Sequence, residues 1–353
     1  MHFFSQFLSE KTFHTLPRKN PILHPKTLIY GAPKSGKTSL ALDFAQNSNL
    51  HHKSIIYLDL NDLRISLDEA KQELLKLYLE KKIKLLIIDH FSPSFPLPNI
   101  DSILLISHEQ ITLPDFKSYF CPPLTFVEYI SFHSKNISTD SMLKNFIKDG
   151  NLPQMPSLNE HQKIQTKQEI LKLHLSSDLS LLIKLIPFQS QKLTIFQFYT
   201  LLKKNEKISK DKTYLFIEKL QKQSIIFFIP HILPNKPKKL YFYDFSIPKT
   251  LSLNPMILPI LENMFVLELM ALGKDVYYDD FDCFVLPDVG RFLFAPFAQR
   301  EVIQKKLSKM AQKNSNDLQN LKIITLDFSD SSITHGINWE ALSFVEFVLG
   351  GVE

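Results

Sequence analysis

Eight residues near the start of the chain have the types and the spacing of a phosphate-binding loop. Residues 31–38 read G-A-P-K-S-G-K-T and match G-x-x-x-x-G-K-[ST] at every specified position. In such a loop, backbone N–H groups surround the phosphates, a lysine contacts the outer phosphates and a hydroxyl holds Mg²⁺. Lys37 and Thr38 supply these two side chains. The pattern predicts the binding of a nucleoside triphosphate, ATP, together with Mg²⁺.

The flanking residues predict the two elements that such a loop connects. Residues 27–30 are apolar and predict a strand, and residues 39–45 predict the start of a helix. The chain has only 8 glycines, and two of them stand at positions 31 and 36, so we favour a functional loop over a chance turn. The predicted nucleotide contacts from this segment are Gly31, Ala32, Pro33, Lys34, Ser35, Gly36, Lys37, Thr38 and Ser39.

Two later apolar runs predict strands whose ends reach the same site. Residues 85–88 are apolar and are followed by Asp89, which is typical of a buried parallel strand with its carboxyl end at the ligand edge. Asp89 is therefore predicted to share Mg²⁺ with Thr38. Residues 102–107 form a similar run, and its last residue, Ser107, is predicted to reach the γ-phosphate. A polar strand end without that role is an equally good interpretation.

The residue after Asp89 is His90, where many phosphate-loop ATPases carry a glutamate that polarises the attacking water. A neutral imidazole can orient water, but it is a poorer fixed base. Two interpretations stay open. Hydrolysis is slow or conditional with His90 beside the water, or Glu109 at the neighbouring strand end replaces the glutamate. The predicted catalytic residues are thus Asp89, His90 and Glu109.

Composition limits the class of protein and its surroundings. A chain of 353 residues with 44% hydrophobic residues is long and apolar enough for two or three folded domains, which excludes a disordered protein. A net charge of +5 permits contact with nucleic acid without requiring it. Cys121 and Cys283 match no metal-binding spacing, and no apolar run approaches the ~18 residues that span a bilayer. The first eight residues lack a signal-peptide pattern, so we expect a cytoplasmic protein without membrane contact.

Residues 121–130, C-P-P-L-T-F-V-E-Y-I, resemble the "PLSF-x-E" segment of a prokaryotic AAA+-like ATPase family. The resemblance spans roughly residues 18–330 and implies an α/β fold. Its parts are a P-loop NTPase domain with an AAA+-like parallel sheet, a winged helix and a C-terminal α/β restriction-endonuclease-like (PD-(D/E)xK) domain. The implied boundaries are 1–160 for the ATPase domain with its lid, 161–250 and 251–353. Further similar segments stand in the family's order at 57–62, 149–153, 240–244, 261–266 and 282–285.

The chain departs from this family at positions that carry catalysis. The family's arginine before the "PLSF" segment is absent, and Lys117 is the only nearby cation. In the C-terminal domain, Glu262 and Asp282 match two of the metal-binding carboxylates of such nucleases. The third strand, at 292–297, has neither carboxylate nor lysine. The resemblance therefore implies a retained fold without nuclease activity. We also expect a helix near Trp339–Leu349.

The middle of the chain predicts two helices followed by a β-hairpin, the order of elements in a winged helix-turn-helix. A helix over 210–223 is predicted, after one that begins near Leu193. Lysines on the second helix and on the hairpin would contact the phosphates of duplex DNA, or would simply be solvated in a domain that packs between its neighbours. These lysines are Lys210, Lys212, Lys219, Lys222, Lys236, Lys238 and Lys239.

These observations favour an ATP-binding regulator of the AAA+-like family, with weak or conditional hydrolysis and with protein partners. The first alternative is a DNA-associated ATPase in which His90 or Glu109 orients the attacking water. The second is a non-enzymatic scaffold that ATP stabilises. No Asn-Lys-x-Asp motif for reading guanine is present, although guanine nucleotides are not excluded on this ground alone.

Overall fold

In the computed structural model of this chain, the described residues are 18–132, 137–205, 207–313 and 320–350. The N-terminal segment in which a signal peptide was sought lies outside them. The chain divides into two units. The first contains the residues up to Pro123 and the turn at 222–224, and the second contains the rest of the chain from Leu124 onward. The division into three domains stays a prediction.

The first unit is built on a five-stranded sheet in the order β2-β3-β4-β1-β5, in which all paired strands are parallel. This confirms the predicted α/β architecture with a parallel sheet. Every residue of the interior strand β3 is buried, as expected for a strand covered on both faces. The strands are β1 (Lys26–Tyr30), β2 (Ile55–Asp59), β3 (Leu85–Asp89), β4 (Ser102–Ser107) and β5 (Lys117–Phe120).

Two helices cover opposite faces of this sheet. Helix α1 (Lys37–Asn47) follows the predicted loop directly, and α2 (Leu67–Leu79) begins after Ser66, whose side chain accepts a hydrogen bond from the backbone of Glu69. Alternate residues of β3 enter different cores because side chains alternate along a strand. One core contains Leu85 and Ile87 with residues of α1, and the other contains Leu86 and Ile88 with residues of α2.

The described residues at the start of the second unit form four α-helices, and the first of them explains the "PLSF-x-E"-like segment. Thr125 and Glu128 form a capping box, in which each side chain accepts a hydrogen bond from the other's backbone N–H. Phe126 between them is fully buried in the core. The helices are α3 (Phe126–Ser131), α4 (Thr139–Asp149), α5 (Glu160–Leu175) and α6 (Leu179–Leu185).

The predicted order of two helices and a hairpin is present in the middle of the chain. Strand β6 (Lys192–Leu193) joins the hairpin strands in an antiparallel sheet of order β6-β8-β7. Leu193 therefore belongs to a strand, and the helix that we expected to begin there begins at Ile195. The other elements are α7 (Ile195–Asn205), α8 (Lys210–Lys222), β7 (Ile226–Ile229) and β8 (Lys238–Phe242).

The C-terminal part of this unit is a six-stranded mixed sheet in the order β13-β14-β12-β11-β10-β9. Strand β11 pairs antiparallel with β10 and parallel with β12. The strands are β9 (Tyr277–Tyr278), β10 (Phe284–Leu286), β11 (Gly290–Phe294), β12 (Asn320–Thr325), β13 (Asp330–Thr334) and β14 (Ile337–Ser343). The helices are α9 (Ile247–Leu251), α10 (Ile257–Ala271), α11 (Arg300–Lys313) and α12 (Phe344–Gly350).

The last predicted helix is wrong in its first half. Trp339 lies on strand β14, where the buried residues Ile337, Trp339 and Ala341 alternate with exposed polar ones. This period of two is the pattern of a half-buried strand, and the helix begins only at Phe344. Among the described residues, no helix has the length and apolar character needed to cross a bilayer.

Candidate nucleotide-binding site

The carboxyl ends of the parallel strands bring the predicted site residues to one edge of the sheet. Tyr30 at the end of β1 lies opposite Ser107 of β4, and Asp59 at the end of β2 lies opposite Asp89 of β3. Ligands of open α/β sheets bind at this edge. Thr38, in the first turn of α1, donates a hydrogen bond from Oγ1 to Asp89 Oδ2 at 2.6 Å. The two predicted Mg²⁺ ligands therefore lie together.

The loop between β1 and α1 depends on glycine at its first position. Gly31 has a φ of +150°, and a Cβ added there would lie 2.5 Å from the carbonyl oxygen of Cys121. The loop turns through left-handed φ values of 58° at Lys34 and 99° at Gly36 before the helix begins. This backbone shape leaves the N–H groups at the start of α1 without helical partners and therefore open to an anion.

Lys37 is buried, with 5% exposure, and its ammonium group is held by the loop itself. Its Nζ donates to the carbonyl oxygens of Gly31 at 2.8 Å and of Ala32 at 2.7 Å. Among the described residues, no carboxylate forms an ion pair with it. Burial lowers the pKa of Lys37 to about 8, and the electrostatic effects of nearby Cys121 and Asp89 offset only part of this shift. A phosphate would supply the missing counter-charge.

The loop also contains a buried hydroxyl group, that of Ser35. The Ser35 side chain is buried, and among the described residues its Oγ makes no hydrogen bond. Arg18 supports the loop from outside by donating to the carbonyl oxygens of Ser35 at 3.0 Å and of Pro122 at 2.8 Å. Sequence reasoning missed Arg18, and the only signal was that it is one of few arginines in a lysine-rich chain.

Asp89 is the centre of a small hydrogen-bond network and is almost fully buried. Besides Thr38, the Tyr57 hydroxyl donates to its Oδ2 at 3.1 Å, and the backbone N–H of His90 donates to its Oδ1 at 2.9 Å. Burial and the nearby carboxylates raise the pKa of Tyr57, so its hydroxyl remains a donor. One carboxylate and one hydroxyl suit Mg²⁺, which in proteins completes its coordination with phosphate oxygens and water. The role of Tyr57 was not evident from the amino-acid sequence.

His90 is held in a defined orientation by a second carboxylate. Its Nδ1 lies 2.8 Å from Asp59 Oδ1, and its ring centroid lies 5.4 Å from that of His108. A neutral imidazole that donates through Nδ1 to Asp59 accepts hydrogen bonds at Nε2. His90 also has a left-handed φ of 53°, a conformation that concentrates at functional sites. The end of β2 was known from the sequence, but the role of Asp59 was not.

The other predicted site residues lie near this edge without joining the network. The Ser107 hydroxyl accepts a hydrogen bond from the backbone N–H of Glu109 at 3.1 Å. Among the described residues, no hydrogen bond or ion pair joins the Glu109 carboxylate to Asp89 or Thr38. Ser39 is exposed on α1. Lys117, the cation considered in place of the family's arginine, is exposed at the start of β5, opposite Thr27, and therefore lies at the other edge of the sheet.

The two carboxylates singled out in the C-terminal part of the chain also come together, but around a lysine. Lys239 Nζ of β8 lies 3.2 Å from Glu262 Oε1 of α10 and 3.4 Å from Asp282 Oδ1. Lys192 approaches Asp282 at 3.1 Å, and the Tyr241 hydroxyl donates to Glu262 at 2.6 Å. We refer to Lys239, Glu262 and Asp282 as the lysine clamp.

The ammonium of the lysine clamp is well shielded from water. Lys239 is 5% exposed and also lies over the rings of Tyr278 and Phe284, at 5.4 and 5.2 Å from their centroids. Burial alone would raise the pKa of Asp282, but Lys239 and Lys192 outweigh it and the pKa lies below its ordinary value.

The third strand of this region contributes no group to the clamp. Its cation, Arg291 of β11, pairs instead with Asp279 at 2.6 Å. Within the described parts of the chain, no three His, Cys, Asp or Glu side chains are grouped so that they could hold a metal ion.

Comparisons with known proteins do not assign this chain to a family. No protein-family model and no curated protein matches it. Among solved structures, it is similar to the Aeropyrum pernix ORC1 protein in complex with DNA, with 12% identity, a TM-score of 0.28, and coverage of 70% of this chain and 88% of the other. It is also similar to Drosophila ORC bound to AT-rich DNA and Cdc6, with 12% identity, a TM-score of 0.21, and coverage of 62% and 81%. TM-scores this low assign neither a fold nor a function to this chain.

Proposed function

We propose that this protein binds Mg·ATP at the loop 31–38 and acts as a nucleotide-dependent regulator. One observation carries the proposal: Lys37 is buried beside the Thr38–Asp89 pair without a carboxylate partner among the described residues. Thr38 and Asp89 would hold Mg²⁺, which would offset the charge of the phosphates. The buried hydroxyl of Ser35 and the open backbone of the loop support the same ligand.

Hydrolysis at this site is proposed to be slow, because His90 stands where a glutamate would polarise water. Asp59 fixes the imidazole, so Nε2 is the group that accepts a hydrogen bond from the attacking water. Glu109 is the weaker candidate for this role because it makes no hydrogen bond to the Asp89 network among the described residues.

The AAA+-like architecture suggested by the sequence is proposed for the whole chain. The all-parallel sheet with the loop after β1 and the carboxylate at the end of β3 supports the P-loop domain. The order β6, α7, α8, β7, β8 supports a winged helix. The mixed sheet with Glu262 on a helix and Asp282 before a strand supports a nuclease-like fold, and the lysine clamp supports its lack of metal-dependent cleavage.

The deciding experiment measures ATP affinity by calorimetry, with GTP as the comparison, and single-turnover phosphate release. Lys37→Ala should weaken Mg·ATP binding at least about 100-fold, because it removes the buried ammonium group of the loop. Lys84→Ala is the matched control, since Lys84 is exposed just before the opposite end of the strand that carries Asp89. Equal affinity in the Lys37→Ala variant and in the unaltered protein would overturn the proposal.

A pair of variants tests the role of His90. His90→Ala should abolish the remaining hydrolysis with unchanged ATP affinity, whereas His90→Glu should raise the rate by about 100-fold, a typical contribution of general-base catalysis. If Glu109→Gln rather than His90→Ala abolishes phosphate release, Glu109 is the residue that orients the attacking water. ATP binding without phosphate release in the unaltered protein would indicate a scaffold that ATP stabilises.

A DNA-associated ATPase is the second candidate, and exposed lysines at the α7–α8 corner favour it. In that case duplex DNA should stimulate phosphate release, and added salt should steeply weaken the stimulation. The same single-turnover assay, run with and without DNA, separates this function from that of a regulator with other partners.

A further inference from the structure

The outer side of helices α7 and α8 combines aromatic rings with ammonium groups. On α7, the ring centroids of Phe196 and Tyr199 lie 6.2 Å apart, and Lys203 Nζ lies 5.9 Å from the Tyr199 ring. From α8, Lys210 Nζ lies 5.9 Å from the Phe196 ring and 5.5 Å from the Tyr214 ring. We call these five residues the aromatic–lysine face.

Two of the three rings of this face, those of Phe196 and Tyr214, lie outside the hydrophobic core of the helix pair, whereas the Tyr199 ring is partly buried. Phe198 of α7 and Phe216 and Ile217 of α8 supply that core and are buried. Phe196, in contrast, is 57% exposed and Tyr214 is 37% exposed. Adjacent exposed rings with no role in folding mark a binding surface rather than a structural contact.

Positive charge is concentrated at the same corner of the molecule. Residues 203–212 contain five lysines, all exposed, and two acidic residues, Glu206 and Asp211. The exposed lysines are Lys203, Lys204, Lys207, Lys210 and Lys212. None of the five forms an ion pair with another described residue.

Several of the lysines that we expected to contact duplex DNA are instead engaged by carboxylates. Lys219 pairs with Asp178 at 2.8 Å, and Lys236 pairs with Asp280 at 2.7 Å. Lys239 is buried in the lysine clamp. The hairpin therefore offers less charge to a phosphate backbone than its sequence suggests, and the α7–α8 corner offers more.

We infer that the aromatic–lysine face binds an unpaired strand of nucleic acid. Bases stack on Phe196, Tyr199 and Tyr214, while Lys203 and Lys210 contact the phosphates. An unpaired strand presents the flat faces of its bases to these rings, whereas a duplex keeps them stacked on one another. Lysine lacks the planar fork that reads base edges, so binding is tolerant of sequence. This inference is independent of the proposed nucleotide site.

Fluorescence anisotropy with the full chain tests the inference, using a labelled oligothymidylate and a labelled duplex of the same length over a range of salt concentrations. The single strand should bind more tightly than the duplex. Phe196→Ala should weaken single-strand binding about tenfold, as expected for the loss of one stacked base. Phe196→Leu, which keeps apolar bulk without a ring, should have the same effect. Lys210→Gln should reduce the slope of log affinity against log salt by about 0.7.

Matched controls lie on the exposed side of α5. Leu173→Ala removes an apolar side chain that is 76% exposed, and Lys172→Gln removes an exposed lysine. Neither should change single-strand affinity, and Lys37→Ala should also leave it unchanged, which separates a failure here from a failure of the nucleotide site. The inference is overturned if the duplex binds as tightly as the single strand, or if Phe196→Ala changes single-strand affinity no more than Leu173→Ala does. It is equally overturned if neither nucleic acid binds at low salt, which would leave the face to a protein partner.

Discussion

Lys37 and Lys239 are both buried cations, yet their surroundings differ in one decisive respect. Lys37 donates to two backbone carbonyl groups, and among the described residues it has no carboxylate in ion-pair contact. Lys239 lies within 3.4 Å of two carboxylates and over two aromatic rings. The first ammonium is held in place without being neutralised, whereas the second is neutralised by the protein itself.

The difference separates a binding site from a structural contact that has similar residue types. A buried charge without a counter-ion destabilises the free protein, and a ligand of opposite charge removes that penalty. A buried charge with two counter-ions has no such need, and it occupies the space between carboxylates where a metal ion would otherwise lie. For any buried lysine, the useful question is whether its charge is neutralised by carboxylates of the protein or only by a bound ligand.

The largest expected effect concerns the backbone that keeps the phosphate-binding loop open. Gly31→Ala should lower the free energy of unfolding by about 3 kcal/mol, because the new Cβ would overlap the Cys121 carbonyl oxygen and φ is positive. Urea unfolding followed by circular dichroism measures this. Gly273→Ala is the control, since Gly273 also has a positive φ but no atom within 4 Å of the added Cβ, and it should cost about 1 kcal/mol. Equal losses in the two variants would contradict the close approach at Gly31.

Breaking the lysine clamp is the next largest change. Lys239→Met should destabilise the second unit by about 2 kcal/mol, because Glu262 would lose its cation and Asp282 would keep only the exposed Lys192. The fluorescence of Trp339, the single tryptophan of the chain, reports urea unfolding of this unit. Lys238→Met, at the exposed neighbouring position, should change little. ATP affinity should be unaltered in both variants. A loss of ATP affinity in Lys239→Met would contradict the distinction between Lys37 as a ligand-binding residue and Lys239 as a structural one.

The pH dependence of the clamp gives a smaller effect with a defined sign. Lys239 and Lys192 outweigh burial and hold the pKa of Asp282 below its ordinary value of 3.8. The stabilising effect is therefore complete above the unfolded-state pKa and is lost as pH falls through the lower folded-state pKa. Asp282→Asn should cost about 0.5 kcal/mol at neutral pH, since the carboxylate is half-exposed and screened by water. The difference should vanish in strong acid, and a difference that grows on acidification would refute the assignment.

Removal of the Lys37 ammonium group should have little effect on the stability of the free protein. Lys37→Met should leave the free energy of unfolding of the free protein nearly unchanged, because the lost hydrogen bonds to carbonyl groups are offset by the loss of an uncompensated buried charge. Urea unfolding without nucleotide measures this, and ATP should then protect the unaltered protein but not the variant. A large loss of stability in Lys37→Met would mean that Lys37 is structural, as Lys239 is.

Much of the first unit was predictable because its signals are local. The loop 31–38 and the apolar run before Asp89 are continuous in the sequence, and parallel strands with both faces covered have few alternative patterns. The prediction near Trp339 was wrong because a short, largely apolar segment fits both the 3.6-residue period of a helix and the two-residue period of a strand. Only its pairing in the sheet shows that it is a strand.

The contacts around Asp89 and in the clamp were not predictable in the same way. Tyr57 and Asp59 reach Asp89 and His90 because β2 pairs with β3 in one register, and Arg18 reaches the loop from a separate segment. Glu262 and Asp282 were noticed as carboxylates, but nothing in their spacing indicated that a lysine from β8 would lie between them.

The phosphate-binding loop, the carboxylate at the end of β3 and the parallel α/β character of the first unit follow from the amino-acid sequence alone. These features depend on backbone preferences and on neighbours only a few residues away. The charge of Lys37 is left without a counter-ion while that of Lys239 is not, and this difference arises from the packing of distant segments. Charge compensation depends on which distant side chains share the same water-excluded volume, and that is set by how strands and helices pack rather than by their order along the chain.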